Sequence, residues 1–382
     1  MRKQYFLISI FCVIFISLNL RAPITMIGGV SNDIINHFNL NDINYGILNA
    51  LPLFCFFIFS LLSPIIPKNK SIFIGLILLM IGLFLRSYFD VNLLFLGTFI
   101  TGIAMAILNV LIPSFIKNNF KNNTGSIMAL YSMFLTISGL IGICTYKIVP
   151  FVGLNNSLFI WIIFAIIGLI CYVPFLKNGR FFRKFKNSNI KDYIKMFKNK
   201  NAWYITAFMG LQCCLYYTIV AWYPIFLMQN MSKLYANNAL VIFQITAIIS
   251  GYFLPFIITK IKFKATFLFI SFFLNIIASI FMIFSSNFYI LISLAILFAI
   301  PCGGATGVIL VMIAQKSKNI QNTIYITSMS QGFGYFLASL GPVIFGFLKN
   351  IFNNFLFSSI FVLILSILLL IFTLLSNKIK EI

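Results

Sequence analysis

The chain has 382 residues, of which 61% are hydrophobic and only 8% charged, with a mean hydropathy of +1.05. Soluble globular proteins carry roughly a quarter charged residues, so a soluble enzyme is excluded. The formal net charge of +22 comes from 27 Lys+Arg against 5 Asp+Glu, yet the basic residues sit in gaps between apolar runs, where they report topology rather than a nucleic-acid surface.

A bilayer crossing takes ~20 apolar residues, which predicts twelve spans here. In chain order they fall near 5–30, 46–66, 71–87, 91–116, 125–148, 156–176, 202–228, 236–259, 265–285, 287–314, 323–348 and 354–376. The first run follows Arg2 and Lys3 but has no small-residue cleavage pattern, so it is expected to be a retained helix rather than a signal peptide. The polar, lysine-rich stretch 177–201 divides the rest into an N-terminal six-helix bundle (1–176) and a C-terminal one (202–382), and reads as a solvated cytoplasmic linker.

Counting basic residues by alternate loops gives 22 on one side and four on the other (Arg86, Lys147, Lys233 and Lys349), with Arg21 inside a span. The positive-inside rule then places both termini and the linker in the cytoplasm of a bacterial plasma membrane. An internal repeat agrees with two halves. At an offset of 199 residues Lys117 meets Lys316, Asn123 meets Asn322, Thr124 meets Thr323 and Gly142 meets Gly341. The expected fold class is therefore an all-α polytopic membrane protein of two pseudo-symmetric six-helix bundles.

The five acids are Asp33, Asp42, Asp90, Asp192 and Glu381, and the only histidine is His37. Carboxylate dyads, histidine triads and metal cages lack raw material, and no phosphate-binding glycine loop appears, so neither a catalytic group nor a metal or other cofactor is expected. The seven cysteines all lie in apolar runs and read as small fillers. A membrane-embedded lipid-modifying enzyme would have to work with His37 and Asp33 or Asp42.

Arg21 is the most informative residue. It lies 17 residues beyond Gln4, ~26 Å along a helix, with mostly apolar sequence still to follow. An arginine at bilayer depth costs about 2.5–3.5 kcal/mol on insertion scales, and no carboxylate lies in any span to offset it. The guanidinium is expected to face an aqueous cavity and to meet water, backbone carbonyls or an incoming anion. Ser17, Arg21, Thr25 and Gly28 share one face. The bland alternative is snorkelling to headgroups from a helix that Pro23 ends early.

The other polar residues inside spans are Asn19, Asn49, Asn109, Tyr131, Gln212, Tyr216, Gln244, Ser328, Gln331 and Tyr335. Singly they suit interhelical hydrogen bonds; as a set they suit the lining of a cavity. Glycines such as Gly139, Gly142, Gly341 and Gly346 permit close helix approach. Pro52, Pro64, Pro113, Pro224, Pro255, Pro301 and Pro342 are expected to introduce kinks.

Scattered motifs carry a family resemblance over nearly the whole chain. They are Leu18-Asn19-Leu20-Arg21-Ala22-Pro23-Ile24-Thr25 in the first span, Leu48-Asn49-Ala50-Leu51-Pro52-Leu53 in the second, and Gly102 with Asn109-Val110-Leu111-Ile112-Pro113 in the fourth. Gly210-Leu211-Gln212 with Ala221-Trp222-Tyr223-Pro224 follow in the seventh, and Ser330-Gln331-Gly332-Phe333-Gly334-Tyr335 with Leu340-Gly341-Pro342 in the eleventh. Together they resemble major facilitator superfamily permeases of the cyanate and 2-nitroimidazole type. The chain departs from that pattern in having Arg21-Ala22-Pro23 where the family usually has Arg-Pro-Ala. Its loop after the second span, Pro67-Lys68-Asn69-Lys70, also lacks the superfamily's acid.

The resemblance implies a monomeric secondary or facilitative transporter that works by alternating access, with cyanate-like anions or nitroimidazole-like heterocycles as cargo. The lipid bilayer and that small solute are its partners, with no nucleic acid. On this reading Arg21 attracts the solute, while Asn19, Thr25, Asn49, Asn109, Tyr131, Gln212, Tyr216, Trp222, Gln244, Gln331 and Tyr335 supply hydrogen bonds and aromatic faces. Efflux of toxicants is the alternative, favoured by 47 Phe, 16 Tyr and 3 Trp, although an Asn-, Lys- and Ile-rich composition accounts for the phenylalanines as well.

Overall fold

The computed structural model describes residues 2–62, 68–88, 90–120, 123–176, 190–261, 264–318 and 320–381. Nearly all of these residues are helical. In chain order the helices are α1 (Arg2–Leu18), α2 (Ala22–Gly29), α3 (Ser31–Phe38), α4 (Asp42–Leu62), α5 (Lys68–Leu85), α6 (Val91–Asn119) and α7 (Thr124–Ile143). A short 3-10 turn (Cys144–Lys147) leads to α8 (Val149–Phe159), α9 (Ile162–Leu176) and α10 (Ile190–Met196). Then come α11 (Lys200–Leu227), α12 (Lys233–Lys260), α13 (Lys264–Phe284), α14 (Phe288–Lys316), α15 (Ile320–Phe352) and α16 (Leu356–Lys378).

Among the described residues, ten helical stretches are long and apolar enough to cross a bilayer. The bent pair α8 and α9 adds an eleventh, and the shorter apolar helix Ser71–Leu85 falls on the third predicted span. The sheer apolarity of these runs drives the architecture. A helix satisfies all its backbone groups internally, as hydrocarbon demands, and large side chains such as Tyr252, Phe253, Phe256 and Ile270 stay on the outer surface. Helices α4, α6, α11, α12, α14 and α15 continue through Pro52, Pro113, Pro224, Pro255, Pro301 and Pro342. Pro64 and residues 177–189 of the expected linker lie outside the described residues, while α10 and the start of α11 occupy its remainder.

The chain forms two compact units, Met1–Phe38 with Phe54–Ser188, and Asn39–Leu53 with Asn189–Ile382. In the first, α2 packs on α7, α1 on α9 and α7, and α5 on α6 and α9. In the second, α11 packs on α15 and α16, α12 on α14, and α13 on α14 and α16. Residues 42–53 of α4 belong to the second unit. There the Tyr45 hydroxyl donates to the Ala221 carbonyl at 2.9 Å, and its ring meets Trp222 edge-on at 5.0 Å.

Three expectations need correction. The first span is not one continuous helix, because α1 stops at Leu18 and α2 restarts at Ala22. Pro23 supplies no N–H for the carbonyl four residues back and disfavours helical geometry just before it, so the chain tightens into bonds from Asn19 N to Ile16 O and Leu20 N to Ser17 O. The sixth span is bent by 41° between α8 and α9. Gly153 within α8 takes a φ of +79°, a left-handed conformation that favours glycine. Finally Arg86, expected in a solvated loop, is completely buried.

Candidate functional site

Most of the predicted residues fall into one cluster in each unit. In the first unit the centre is the break in the opening span. Ser138 on α7 reaches into it, its hydroxyl donating to the Leu18 carbonyl at 2.6 Å and accepting from Ala22 N at 2.8 Å and Arg21 N at 3.2 Å. One side chain thus satisfies backbone groups on both sides of the gap, which buried polar atoms require. Thr25 adds a second tie, donating to Gly139 O at 2.9 Å. Gly142 makes this approach possible, since a Cβ there would lie 2.3 Å from Thr25 Oγ1 and 2.7 Å from the Ala22 carbonyl.

Arg21 is held at this break with its side chain half-buried, as the residue that caps α2. Its charge lies within electrostatic range of Tyr131, whose hydroxyl donates to Asn109 Oδ1 at 2.7 Å. Arg21, Tyr131 and Asn109 are therefore brought together from the opening span, α7 and α6. Asn19 is turned into the helix end, donating to Phe15 O at 2.8 Å, while its Oδ1 is buried without a partner. Thr25 is fully buried and occupied in helix packing.

In the second unit the polar residues form two separate sets of hydrogen bonds one turn apart on α11. Gln212 on α11 donates to the Cys302 carbonyl at 3.0 Å and accepts from Thr306 at 3.2 Å. One turn on, the Tyr216 hydroxyl donates to Gln244 Oε1 at 2.7 Å, which leaves the Gln244 amide nitrogen buried without a partner. Rings of Tyr217 and Phe243 flank Tyr216, and Tyr335 stands 6.5 Å from Tyr217. Gln331 is half-buried on α15.

Trp222 and Asn49 lie elsewhere. Trp222 donates to the Pro342 carbonyl at 2.9 Å and stacks on Phe345, and Asn49 donates to Tyr45 O at 2.9 Å. Trp222 joins α11 to α15 and, through the Tyr45 ring, to α4, while the Asn49 bond stays within α4. Sequence reasoning missed Ser138, whose only signal was a hydroxyl in an apolar helix. It also missed Thr306, which completes the bonding of Gln212.

His37 is exposed on α3, and Asp42 is engaged by Lys349 at 2.5 Å. No group of three or more metal-binding side chains exists among the described residues.

The chain is 29% identical over 356 residues to the "Uncharacterized transporter YycB" of Bacillus subtilis, covering 88% of this chain and 85% of the relative. It is 25% identical over 382 residues to the 2-nitroimidazole transporter of Escherichia coli (97% and 95% covered). It is 22% identical over 361 residues to the cyanate transport protein CynX of the same organism (90% of each). In fold it matches the crystal structure of a bacterial homolog to the human lysosomal transporter Spinster, with a TM-score of 0.75 at 14% identity, covering 98% and 97% of the two chains. All four are named as transporters or transport proteins or as a homolog of one. The family profile described as the Major Facilitator Superfamily matches residues 7–262, well over half of the sequence, and the chain belongs to that family.

Proposed function

We propose that this transporter carries a small anion or electron-rich polar heterocycle, of the cyanate or nitroimidazole kind, by alternating access, with Arg21 as the attracting charge. The observation that carries the reading is the setting of Arg21: a half-buried guanidinium at a helix break pinned by Ser138, beside the Tyr131–Asn109 pair. A pinned backbone aims the charge, and a planar guanidinium matches a small anion or a nitro group geometrically. Gln212, Tyr216 and Gln244 offer amide and phenol groups suited to a neutral heterocycle. Gln331 and Tyr335 are the remaining lining candidates.

The strong excess of basic residues on one set of alternate loops supports placement in the plasma membrane of a bacterial cell with both termini inside. Asp33, Asp42, Asp90 and Glu381 stand at or beyond helix ends. Coupling through a carboxylate of the chain is therefore disfavoured, and facilitated diffusion or exchange is physically simpler.

Uptake of labelled cyanate and of 2-nitroimidazole into proteoliposomes tests the assignment. Arg21→Gln should lower anion uptake by about 10- to 100-fold, the loss expected for a charged hydrogen bond, with unchanged yield of folded protein. Undiminished uptake by that variant refutes the role of Arg21.

A second reading is efflux of planar aromatic toxicants, favoured by the ring cluster of Tyr216, Tyr217, Phe243 and Tyr335. Drug sensitivity of cells lacking the protein separates it from uptake.

A further inference from the structure

The first unit holds a second arginine that the transport reading leaves unused. Arg86 follows α5 directly, and its side chain is 0% exposed. Its Nη1 donates to the Pro23 carbonyl at 2.9 Å, but Nε and Nη2 are buried with no hydrogen-bond partner. These two nitrogens form one edge of the planar guanidinium, and their N–H bonds point the same way. That edge is the fork which grips two oxygens of one anion.

The surroundings reinforce the observation. Helix α6 is pressed against the Arg86 backbone, because a Cβ on Gly97 would lie 2.5 Å from Arg86 N and 3.0 Å from its Cβ. Thr98 and Thr101 on the same stretch of α6 are fully buried, and neither hydroxyl has a partner. Thr101 Oγ1 abuts Gly82, one turn before Arg86. Among the described residues no carboxylate pairs with Arg86, and arginine does not shed its proton at physiological pH. Neither Nε nor Nη2 touches water-accessible space in this conformation, so the charge is left uncompensated in a low-dielectric setting.

We infer that the unpartnered edge of Arg86 is a second anion site, distinct from Arg21, which takes a small monovalent oxyanion such as nitrate or formate when α5 and α6 part enough to admit it. The anion accepts from Nε and Nη2 together. Pro23 belongs to α2, the helix capped by Arg21, so an occupied Arg86 also steadies the segment carrying the transport charge. The anion is either a resident ion or cargo on its way through, and the chemistry of the grip is the same.

The test is thermal unfolding of the purified full-length protein in detergent, at constant ionic strength, with gluconate replaced stepwise by nitrate or formate. A ligand of the native state raises the midpoint by mass action. The midpoint should rise in the wild type and in Arg21→Gln, and stay flat in the double variant Arg21→Gln/Arg86→Gln. In Arg86→Lys, which keeps the charge but loses the fork, the half-saturating concentration should increase at least tenfold. A rise that persists undiminished in the double variant, one that disappears in Arg21→Gln, or none with either anion overturns the site.

Should the double variant fail to fold, the Arg21→Gln and Arg86→Lys arms still decide. Labelled formate in proteoliposomes then identifies the source. Flux that falls with Arg86→Lys marks the ion as cargo, and flux that is unchanged marks it as resident, each with the site intact. Because Arg21→Gln is scored separately, loss of the transport reading and loss of this site give different results.

Discussion

The two halves build the same helix contact from different chemistry. Gly142 and Gly341 are 199 positions apart, and a Cβ on either would lie 2.3 Å from a threonine hydroxyl, that of Thr25 or of Thr218. Each threonine donates to the carbonyl four residues earlier, Thr25 to Arg21 at 3.2 Å and Thr218 to Cys214 at 2.7 Å. Arg21 and Cys214 are thus corresponding positions. So are Ser138 and Leu337, by the same offset of 199.

The difference lies in the backbone. Helix α11 runs unbroken from Lys200 to Leu227, with Leu337 packed against Gly210, whereas the opening span breaks and Ser138 fills the gap. Close glycine packing therefore does not require a break. The break and the charge belong to one device, which the first half has and the second lacks.

The largest expected effect comes from moving the charge. Cys214 is 2% exposed within the continuous helix, so Cys214→Arg buries a guanidinium where no free backbone group can receive it. The effective penalty is several kcal/mol, enough to remove most folded protein from a size-exclusion profile. The reverse change, Arg21→Cys, should leave the folded yield near that of the wild type and abolish anion uptake. Equal yields for the two variants would mean that the broken helix has no special tolerance for charge.

A smaller effect tests the bridge itself. Ser138→Ala strips the partner from Leu18 O, Arg21 N and Ala22 N together. Each buried group left unmade costs about 1–3 kcal/mol, although relaxation of the gap recovers part of that. A clear drop in thermal midpoint is expected, with Ser138→Thr largely restoring it because the hydroxyl returns. At the matching place, Leu337→Ser should lose stability through apolar packing alone, since its new hydroxyl finds no broken backbone. A gain in stability from Leu337→Ser would show that α11 too holds unsatisfied groups.

These features were unequally legible. Apolar runs separated by Lys and Asn mark the spans, because hydrocarbon accepts little else than helix. Pro23 hinted at a disturbance near Arg21, but the position of the break depends on Ser138, whose backbone partners lie 116 to 120 residues away. Contacts over that separation have no local signature. The Tyr131–Asn109 and Tyr216–Gln244 pairs joined residues named singly from polarity, while Thr25 and Trp222 turned out to be taken up in helix contacts. Arg86 was misplaced because counting charges by loops assigns every basic residue near a span end to water, and this one folds back onto Pro23.

The smallest effect concerns the other way of holding a charge. In the second unit Lys349 on α15 meets Asp42 on α4 at 2.5 Å, with both side chains 22% exposed, and lies over the rings of Trp222 and Phe355 at 5.6 and 5.1 Å. This cation has an acid and two aromatic faces at a half-wet rim, where a pair is worth at most about 1 kcal/mol. Asp42→Asn keeps an acceptor oxygen for the ammonium and leaves both ring contacts in place. Its thermal midpoint should therefore fall only slightly, and high ionic strength should bring the wild type down toward the variant. A loss as large as that from Ser138→Ala, insensitive to salt, would show that α4 depends on this ion pair to stay on α11 and α15. The contrast between a cation held by a rim carboxylate and one held at a broken helix would then lose its energetic basis.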